Sequence, residues 1–313
     1  MSPDKILLEK SEPCVWNPSE ASLAERETPP FSAWENVRLA RHPERPQALD
    51  FIHALFENFQ ELHGDRHFGD DGAMLAGTAY FQGEPVMLIG EQKGRTIQEK
   101  LKHRFGSPQA EGYRKALRLM QLADRFHLPI VSFVDSPGAY PGIGSEERHV
   151  AEAIALNLRE MMGFSVPIIA IVIGEGGSGG ALGIAVADRV LVLEHAYYSV
   201  ISPEACAAIL WRDRSLAPEA AEALQLSSEH LTTWGVADEI IAESSEAAHV
   251  SPTESFEAVR TALLKCLAEV SAWPAEERME RRYRRFRALG CYASKDYPDF
   301  QEIGRKSPDS PGN

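Results

Sequence analysis

Two short runs of consecutive apolar residues, each broken off by a glycine-dense segment, restrict the folding of this chain more than any other feature. Residues 129–134 read Pro-Ile-Val-Ser-Phe-Val, and residues 167–173 read Pro-Ile-Ile-Ala-Ile-Val-Ile. Such runs lack the polar alternation of a half-exposed strand, so they suit strands covered on both faces, as in a parallel sheet. The first runs into Asp-Ser-Pro-Gly-Ala-Tyr-Pro-Gly at 135–142, and the second into Gly-Glu-Gly-Gly-Ser-Gly-Gly at 174–180. A helix is expected at about 146–162, a small-residue helix up to about 187, and a third apolar strand at 190–193. Strands alternating with helices specify an α/β architecture with crossover connections. Both glycine segments then fall as loops past the carboxyl ends of strands, where such folds place their ligands.

Upstream, Leu49, Ile52, Leu55, Phe56 and Phe59 recur at helical spacing and predict an amphipathic helix from Pro46 to near His63 and Gly64. Strands are expected at 73–81 and 85–89, with Gln82-Gly83 as a hairpin turn between them. Residues 1–33 mix charges with Pro13, Pro18, Pro29 and Pro30, and read as a poorly ordered or short-helix lead-in. Beyond Pro218 the chain reads as mainly helical, with 246–313 forming a helical extension and a flexible tail. Within it, the arginines of 278–287 are interleaved with Met279, Tyr283 and Phe286. That pattern predicts a helix with one packed face and another that is solvated or paired with acids.

Composition narrows the function classes. The 313 residues are 44% hydrophobic and 25% charged, as in an ordinary globular enzyme, and the formal net charge of -14 argues against nonspecific nucleic-acid binding. The first residues lack the apolar core of a signal peptide, and glycines 174–183 interrupt the strongest apolar stretch, so no membrane span is expected. Cys14, Cys206, Cys266 and Cys291 are too scattered for a metal site and read as free thiols in a reducing, cytoplasmic setting. The ten histidines show no metal-ligand spacing; His63, Asp65 and His67 are the one conceivable set, and no metal is expected.

The chemistry is expected in the two glycine segments. Prolines at 137 and 141 preset φ, and Gly138, Gly142 and Gly144 permit unusual dihedrals, so the first loop can hold its amides in fixed orientations. In the second, Gly176 and Gly177 allow a ligand close to the backbone, and the following helix adds amide dipoles. The combination suits an oxyanion hole. The segment lacks the Gly-Lys-Ser/Thr ending of a phosphate loop and does not fit the dinucleotide fingerprint. Gly179 and Gly180 read partly as close packing of a helix on a strand. Ser178 is read as lying outside the nucleophile-elbow pattern, and Cys206 as a core residue of a helix capped by Ser202 with Pro203 at its first position.

These segments, with Arg41-His42-Pro43, Gln92-Lys93-Gly94, residues 112–120 and residues 199–204, resemble the carboxyltransferase alpha subunits of bacterial acetyl-CoA carboxylase, members of the crotonase-like (ClpP/crotonase) superfamily. The likeness runs from Trp34 to near Asp238, roughly two thirds of the chain. It implies a repeated ββα superhelix with flanking helices, its carboxyltransferase domain spanning 34–245. It implies transfer of a carboxyl group from carboxybiotin, held on a separate carrier protein, to acetyl-CoA, giving malonyl-CoA for fatty-acid synthesis. Gly176 and Gly177 would offer their N–H groups to the ureido oxygen, while Gly138 and Ala139 would form the superfamily's other hole. Tyr140, Pro141, Gly142, Glu175 and Ser178 would line or orient the biotin pocket. Lys93, Arg95 and Arg114 would contact carboxylate or phosphate groups, or else pair with acids such as Glu91 and Glu111. The implied partners are a zinc-containing beta subunit in an alpha2/beta2 heterotetramer, the biotin carboxyl carrier protein, and biotin carboxylase with the ATP site of the whole complex.

The chain departs from that pattern in its short proline-containing start, in Glu91 where the family commonly has His, and in Ala205 where it has Gly. These leave room for a specialised second copy. The alternative readings are a carboxyltransferase subunit for another acyl-CoA, a stand-alone crotonase-like acyl-CoA enzyme, and a silent scaffold that binds the beta subunit.

Overall fold

The computed structural model describes residues 31–244 and 247–290. The expected lead-in up to residue 30 and the tail from 291, with Cys14 and Cys291, lie outside the described residues.

Among the described residues, eight strands form one sheet: β1 (Glu57–Glu61), β2 (Met74–Phe81), β3 (Glu84–Glu91), β4 (Ile130–Ser136), β5 (Ile168–Gly177), β6 (Arg189–Leu193), β7 (Tyr197–Ser199) and β8 (Glu239–Ile241). Their spatial order is β1-β2-β3-β4-β5-β6-β8, with β7 paired to the far end of β5. From β3 onward the pairings are parallel, while the β1–β2 and β2–β3 pairings are antiparallel. The β2–β3 hairpin is regular from Met74↔Glu91 to Phe81↔Glu84. Its turn places Gln82 at φ 53° and Gly83 at φ 82°, the two left-handed residues that match the twist of a tight hairpin.

Every residue of β4 and β5 is buried, which accounts for the unalternated apolar runs. The helix Ala110–Arg125 lays Tyr113, Ala116, Leu119, Met120 and Ala123 toward β2 and β3. The helix Pro252–Ser271 lays Val259, Leu263, Cys266 and Val270 into the same core, against β5 and β8. Each large aliphatic side chain so buried contributes about 1.5–3 kcal/mol.

Several sequence expectations are corrected. The helix foreseen from Pro46 to Gly64 ends at Leu55; Phe56 is extended (φ -120°, ψ 151°), and Phe59 lies in β1, where pairing with β2 overrides helical spacing. The helix foreseen at 146–162 is two helices, Ile143–Glu147 and Val150–Gly163, parted where His149 turns left-handed at φ 62°. The second glycine loop is no loop through residue 177. Strand β5 continues to Gly177, and the helix behind it stops at Leu182, not 187. Strand β8 interrupts the supposedly helical region past Pro218.

The arginine-rich helix, Ala275–Arg287, has the expected packed face and acid-paired face, with Phe286 against the core and Arg281 and Arg284 bound to Glu277 and Glu280, but the packed face also carries arginines. Its buried residues are Arg278 and Arg282, while Tyr283 is exposed. Arg282 donates to both oxygens of Asp188 (2.9 and 2.9 Å) and to the carbonyls of Met161 (2.6 Å), Phe164 (2.8 Å) and Val166 (3.1 Å). Arg278 donates to the carbonyls of Val270, Trp273 and Ser165.

Candidate active site

The ends of β4 and β5 bring the two glycine segments into backbone contact. A Cβ on Gly177 would stand 2.3 Å from the Pro137 carbonyl, and one on Gly180 would stand 2.4 Å from Ala139 N. Gly180 therefore serves the approach of the first loop, not helix-on-strand packing. A Cβ on Gly176 would meet the Tyr198 ring at 2.7 Å, so neither side of this strand end admits a side chain. Gly176 and Gly177 pair with Tyr198 and Ser199 of β7, and Gly176 also faces Ser136 of β4.

The first loop is pinned at two amides, those of Gly138 and Tyr140. Gly138, at φ 133°, donates its N–H to Ser136 Oγ at 3.0 Å, and Tyr140 donates to the Pro108 carbonyl at 2.9 Å. The N–H of Gly138, an expected free donor, is thus engaged within the loop. Among the described residues, Ala139 N–H has no protein acceptor and lies beside Gly180. The half-exposed ring of Tyr140 lies over Gly142, where a Cβ would come within 2.3 Å of its Cε1.

Residues 176–180 do spell Gly-x-Ser-x-Gly, contrary to the sequence reading of Ser178. Ser178 sits exposed at φ 52° on the strand-to-helix turn. Among the described residues, no histidine, lysine or carboxylate hydrogen-bonds to its hydroxyl, so it lacks the base that activates a nucleophile.

Charges gather beneath the glycines. Glu175 accepts from Arg41 Nε (2.5 Å), Lys93 Nζ (2.7 Å) and Tyr197 OH (2.7 Å). Burial alone would raise its carboxyl, but Lys93 and Arg41 outweigh that and hold its pKa to about 2. Arg41 also donates to Glu204 at 2.5 Å. Lys93 lies 2.7 Å from Asp135 Oδ1, which itself accepts the Glu175 N–H at 3.0 Å. Burial raises the Asp135 pKa, with Lys93 opposing. Burial works against the Lys93 cation, yet Asp135 and Glu175 raise its pKa overall. The partners of Lys93 are therefore Asp135 and Glu175, not Glu91 or Glu111.

Of the other expected cations, Arg95 pairs with Asp50 at 2.7 Å and Arg114 with Asp65 at 2.8 Å. His63 and Asp65 are likewise occupied: His63 binds Asp70, and Asp65 accepts N–H groups of His67, Phe68 and Gly69. Sequence reasoning missed Asp135, Tyr197 and Glu204 as parts of this charge cluster. A usable signal existed for one of them, since an acid directly ending a buried apolar strand needs a buried cation.

The profile of the acetyl co-enzyme A carboxylase carboxyltransferase-like family matches residues 19–290. The chain belongs to that family. Acetyl-coenzyme A carboxylase carboxyl transferase subunit alpha of Thioalkalivibrio sulfidiphilus is 52% identical over 271 residues, covering 87% of this chain and 85% of its own. The like-named protein of Geobacter sulfurreducens is 55% identical over 262 residues, covering 84% and 82%. Among solved structures, the 12S transcarboxylase bound to methylmalonyl-coenzyme A aligns with a TM-score of 0.59 at 19% identity, over 76% of this chain and 45% of that one. The Pseudomonas malonate decarboxylase MdcD–MdcE hetero-dimer aligns at 0.53 and 19%, over 68% and 89%. These likenesses show the crotonase-like fold. The family match extends well beyond the stretch from Trp34 to Asp238 that the motifs marked, reaching into the arginine-rich helix.

Proposed function

We infer that this chain is the alpha subunit of the carboxyltransferase component of acetyl-coenzyme A carboxylase. With a beta subunit it moves a carboxyl group to acetyl-CoA, giving malonyl-CoA. The observation that carries the reading is the backbone contact of Gly177 and Gly180 with residues 137–139, within a chain of this family. Carboxybiotin, borne on a separate carrier protein and charged by biotin carboxylase, supplies the carboxyl group when bound.

The residues fit a planar, polar ring system: Gly176, Gly177 and Gly180 present no side chain, and Ala139 N–H lies unclaimed beside them. In the mechanism, the amides of Gly177 and Ala139 stabilise negative charge that develops on an oxygen placed between the segments, while Gly176, paired to β4 and β7, keeps the strand end clear of side chains. Gly138 shapes the loop through Ser136, and Tyr140, Pro141 and Gly142 form its outer wall. Glu175 holds the strand from below and Ser178 turns it into the helix. Arg95 and Arg114, offered by the sequence as anion contacts, are instead bound to Asp50 and to Asp65 and the Arg148 carbonyl. The exposed apolar side chains of Tyr140, Ile143 and Val200 flank the segments and suit coverage by the beta subunit, in an alpha2/beta2 assembly. Among the described residues no helix is long and apolar enough to cross a membrane, and the buried free thiols Cys206 and Cys266 suit the cytoplasm.

The test is carboxyl transfer by the purified chain, alone and mixed with a beta subunit, with carboxybiotin carrier and acetyl-CoA. Malonyl-CoA is expected from the mixture only. Gly177→Ala should lower kcat by about 100-fold or more, because its Cβ forces the segments apart. Turnover of acyl-CoA by the chain alone would instead identify a self-sufficient acyl-CoA enzyme.

A further inference from the structure

The β4–β5 ladder changes register beside the charge cluster. Pairing is regular from Ile130↔Ile168 to Val134↔Val172, and then Ser136 faces Gly176 instead of Gly174. Two residues of β5 are thus taken up between Val172 and Gly176, at the point where both glycine segments begin. Backbone pairing alone does not set the spacing there.

We propose that Lys93 is a positioning residue whose single ammonium sets the spacing of the two glycine segments by joining the carboxylates that precede them. The activity readout of this proposal rests on the carboxyl-transfer reading above. Lys93 Nζ lies 2.7 Å from Asp135 Oδ1 and 2.7 Å from Glu175 Oε2. Asp135 directly precedes Ser136-Pro137-Gly138, and Glu175 directly precedes Gly176-Gly177. Asp135 Oδ1 also takes the Glu175 N–H at 3.0 Å, closing the register shift.

The surrounding glycines make room for this bridge. A Cβ on Gly174 would stand 2.3 Å from Asp135 Oδ1. One on Gly106, at φ 82°, would stand 2.6 Å from Lys93 Cγ. Gly174 therefore belongs to the ion bridge and not to the ligand surface. The other groups facing the bridge are accounted for. Arg41 binds Glu175 and Glu204, Tyr197 OH donates to Glu175, and Glu91 Oε2 accepts the Asp135 N–H at 3.2 Å. Lys93 thus has two buried carboxylates as partners, and its charge is spent inside the protein.

The alpha–beta complex carrying Lys93→Met tests this, alongside Lys93→Met combined with Asp135→Asn. Without Lys93 two adjacent carboxylates face each other, and the segments keep their spacing only while one holds a proton. The single variant should lose about 10–100-fold in kcat, with the KM values for carrier and acetyl-CoA within about twofold of wild type. Its remaining activity should fall between about pH 6 and pH 9, where wild type stays flat. The second substitution removes one charge, and its amide can accept the Glu175 N–H and turn its NH2 toward Glu175 Oε2. It should recover most of the loss and flatten the pH profile.

Amide hydrogen exchange over residues 174–180 in the chain alone gives a readout independent of activity. It should quicken in the single variant and return in the double. A raised KM with unchanged kcat, no rescue by Asp135→Asn, or unaltered exchange would overturn the proposal and make Lys93 a ligand contact. If wild-type complex transfers no carboxyl group, the functional reading fails, and exchange alone decides on Lys93. If Lys93→Met does not fold, a double variant with native exchange supports the bridge, and an unfolded double variant overturns it.

Discussion

Glu91 shows what a single substitution-sensitive carboxyl can do inside this sheet. It is fully buried, its Oε2 takes the Asp135 N–H, and its Oε1 has no hydrogen-bond partner among the described residues. Burial first, and then the Asp135 charge, push its pKa well above 4.5. A carboxyl raised in the folded state contributes stability that is complete below its unfolded value and is lost as pH rises toward the folded one. Glu91→Gln keeps the acceptor and removes that loss. Its Tm should exceed wild type at about pH 8, with the gap closing toward pH 4; identical Tm values at pH 8 would show that Glu91 ionises without cost. Residue 91 stood out in the sequence as a departure from the resembled pattern. Its protonation was not legible there, because the neighbour that raises it lies 44 residues away.

At the scale of elements, local patterns were readable and long-range ones were not. The β2–β3 hairpin follows from alternation and a Gln82-Gly83 turn, and β4 and β5 follow from their own apolar runs. Strand β1 was hidden because its fate depends on pairing with β2. The arginine helix has the packed and acid-paired faces that its sequence predicts, but the arginines on its packed face were hidden for a similar reason. Phe286 packs on the core, and the packing surface also offers the spare carbonyls at the end of Val150–Gly163 and the carboxylate of Asp188. Arg278 and Arg282, four residues apart on one face, meet those acceptors. Removing one partner of a buried pair strands the other, so Arg282→Met should cost about 3–5 kcal/mol in urea unfolding. Adding Asp188→Asn should return part of it. A loss below about 1 kcal/mol would show that the helix is held by its apolar contacts alone.

The whole molecule carries its acid sensitivity in a few carboxylates. Burial would raise Asp65, but N–H groups of His67, Phe68 and Gly69 together with Arg114 bring its pKa to about 2. Lys93 and Arg41 bring Glu175 to about 2 against its burial. Groups lowered in the folded state stabilise fully above their ordinary values of 3.8 and 4.5 and lose that contribution as pH falls toward 2. Circular dichroism should therefore show stability declining across about pH 4.5 to 2, and Asp65→Asn should blunt the decline. An unchanged acid midpoint in that variant would exclude Asp65 as a contributor. The α/β class, the two glycine segments and their place at strand ends were legible across the chain, since each rests on contiguous residues. The charge cluster that joins them was not, since Arg41, Lys93, Asp135, Glu175 and Tyr197 come from five separated stretches.

The buried guanidinium of Arg282 also orders events during synthesis. All eight described strands are synthesised before residue 282 is added. Until then the carbonyls of Met161, Phe164 and Val166 wait for their donor, and Asp188 lacks its cation. A chain cut short by premature termination keeps that interior unfinished and open to proteolysis. A chain that extends past Arg282 seals it with the helix Ala275–Arg287, so the fold itself registers whether synthesis has passed this point.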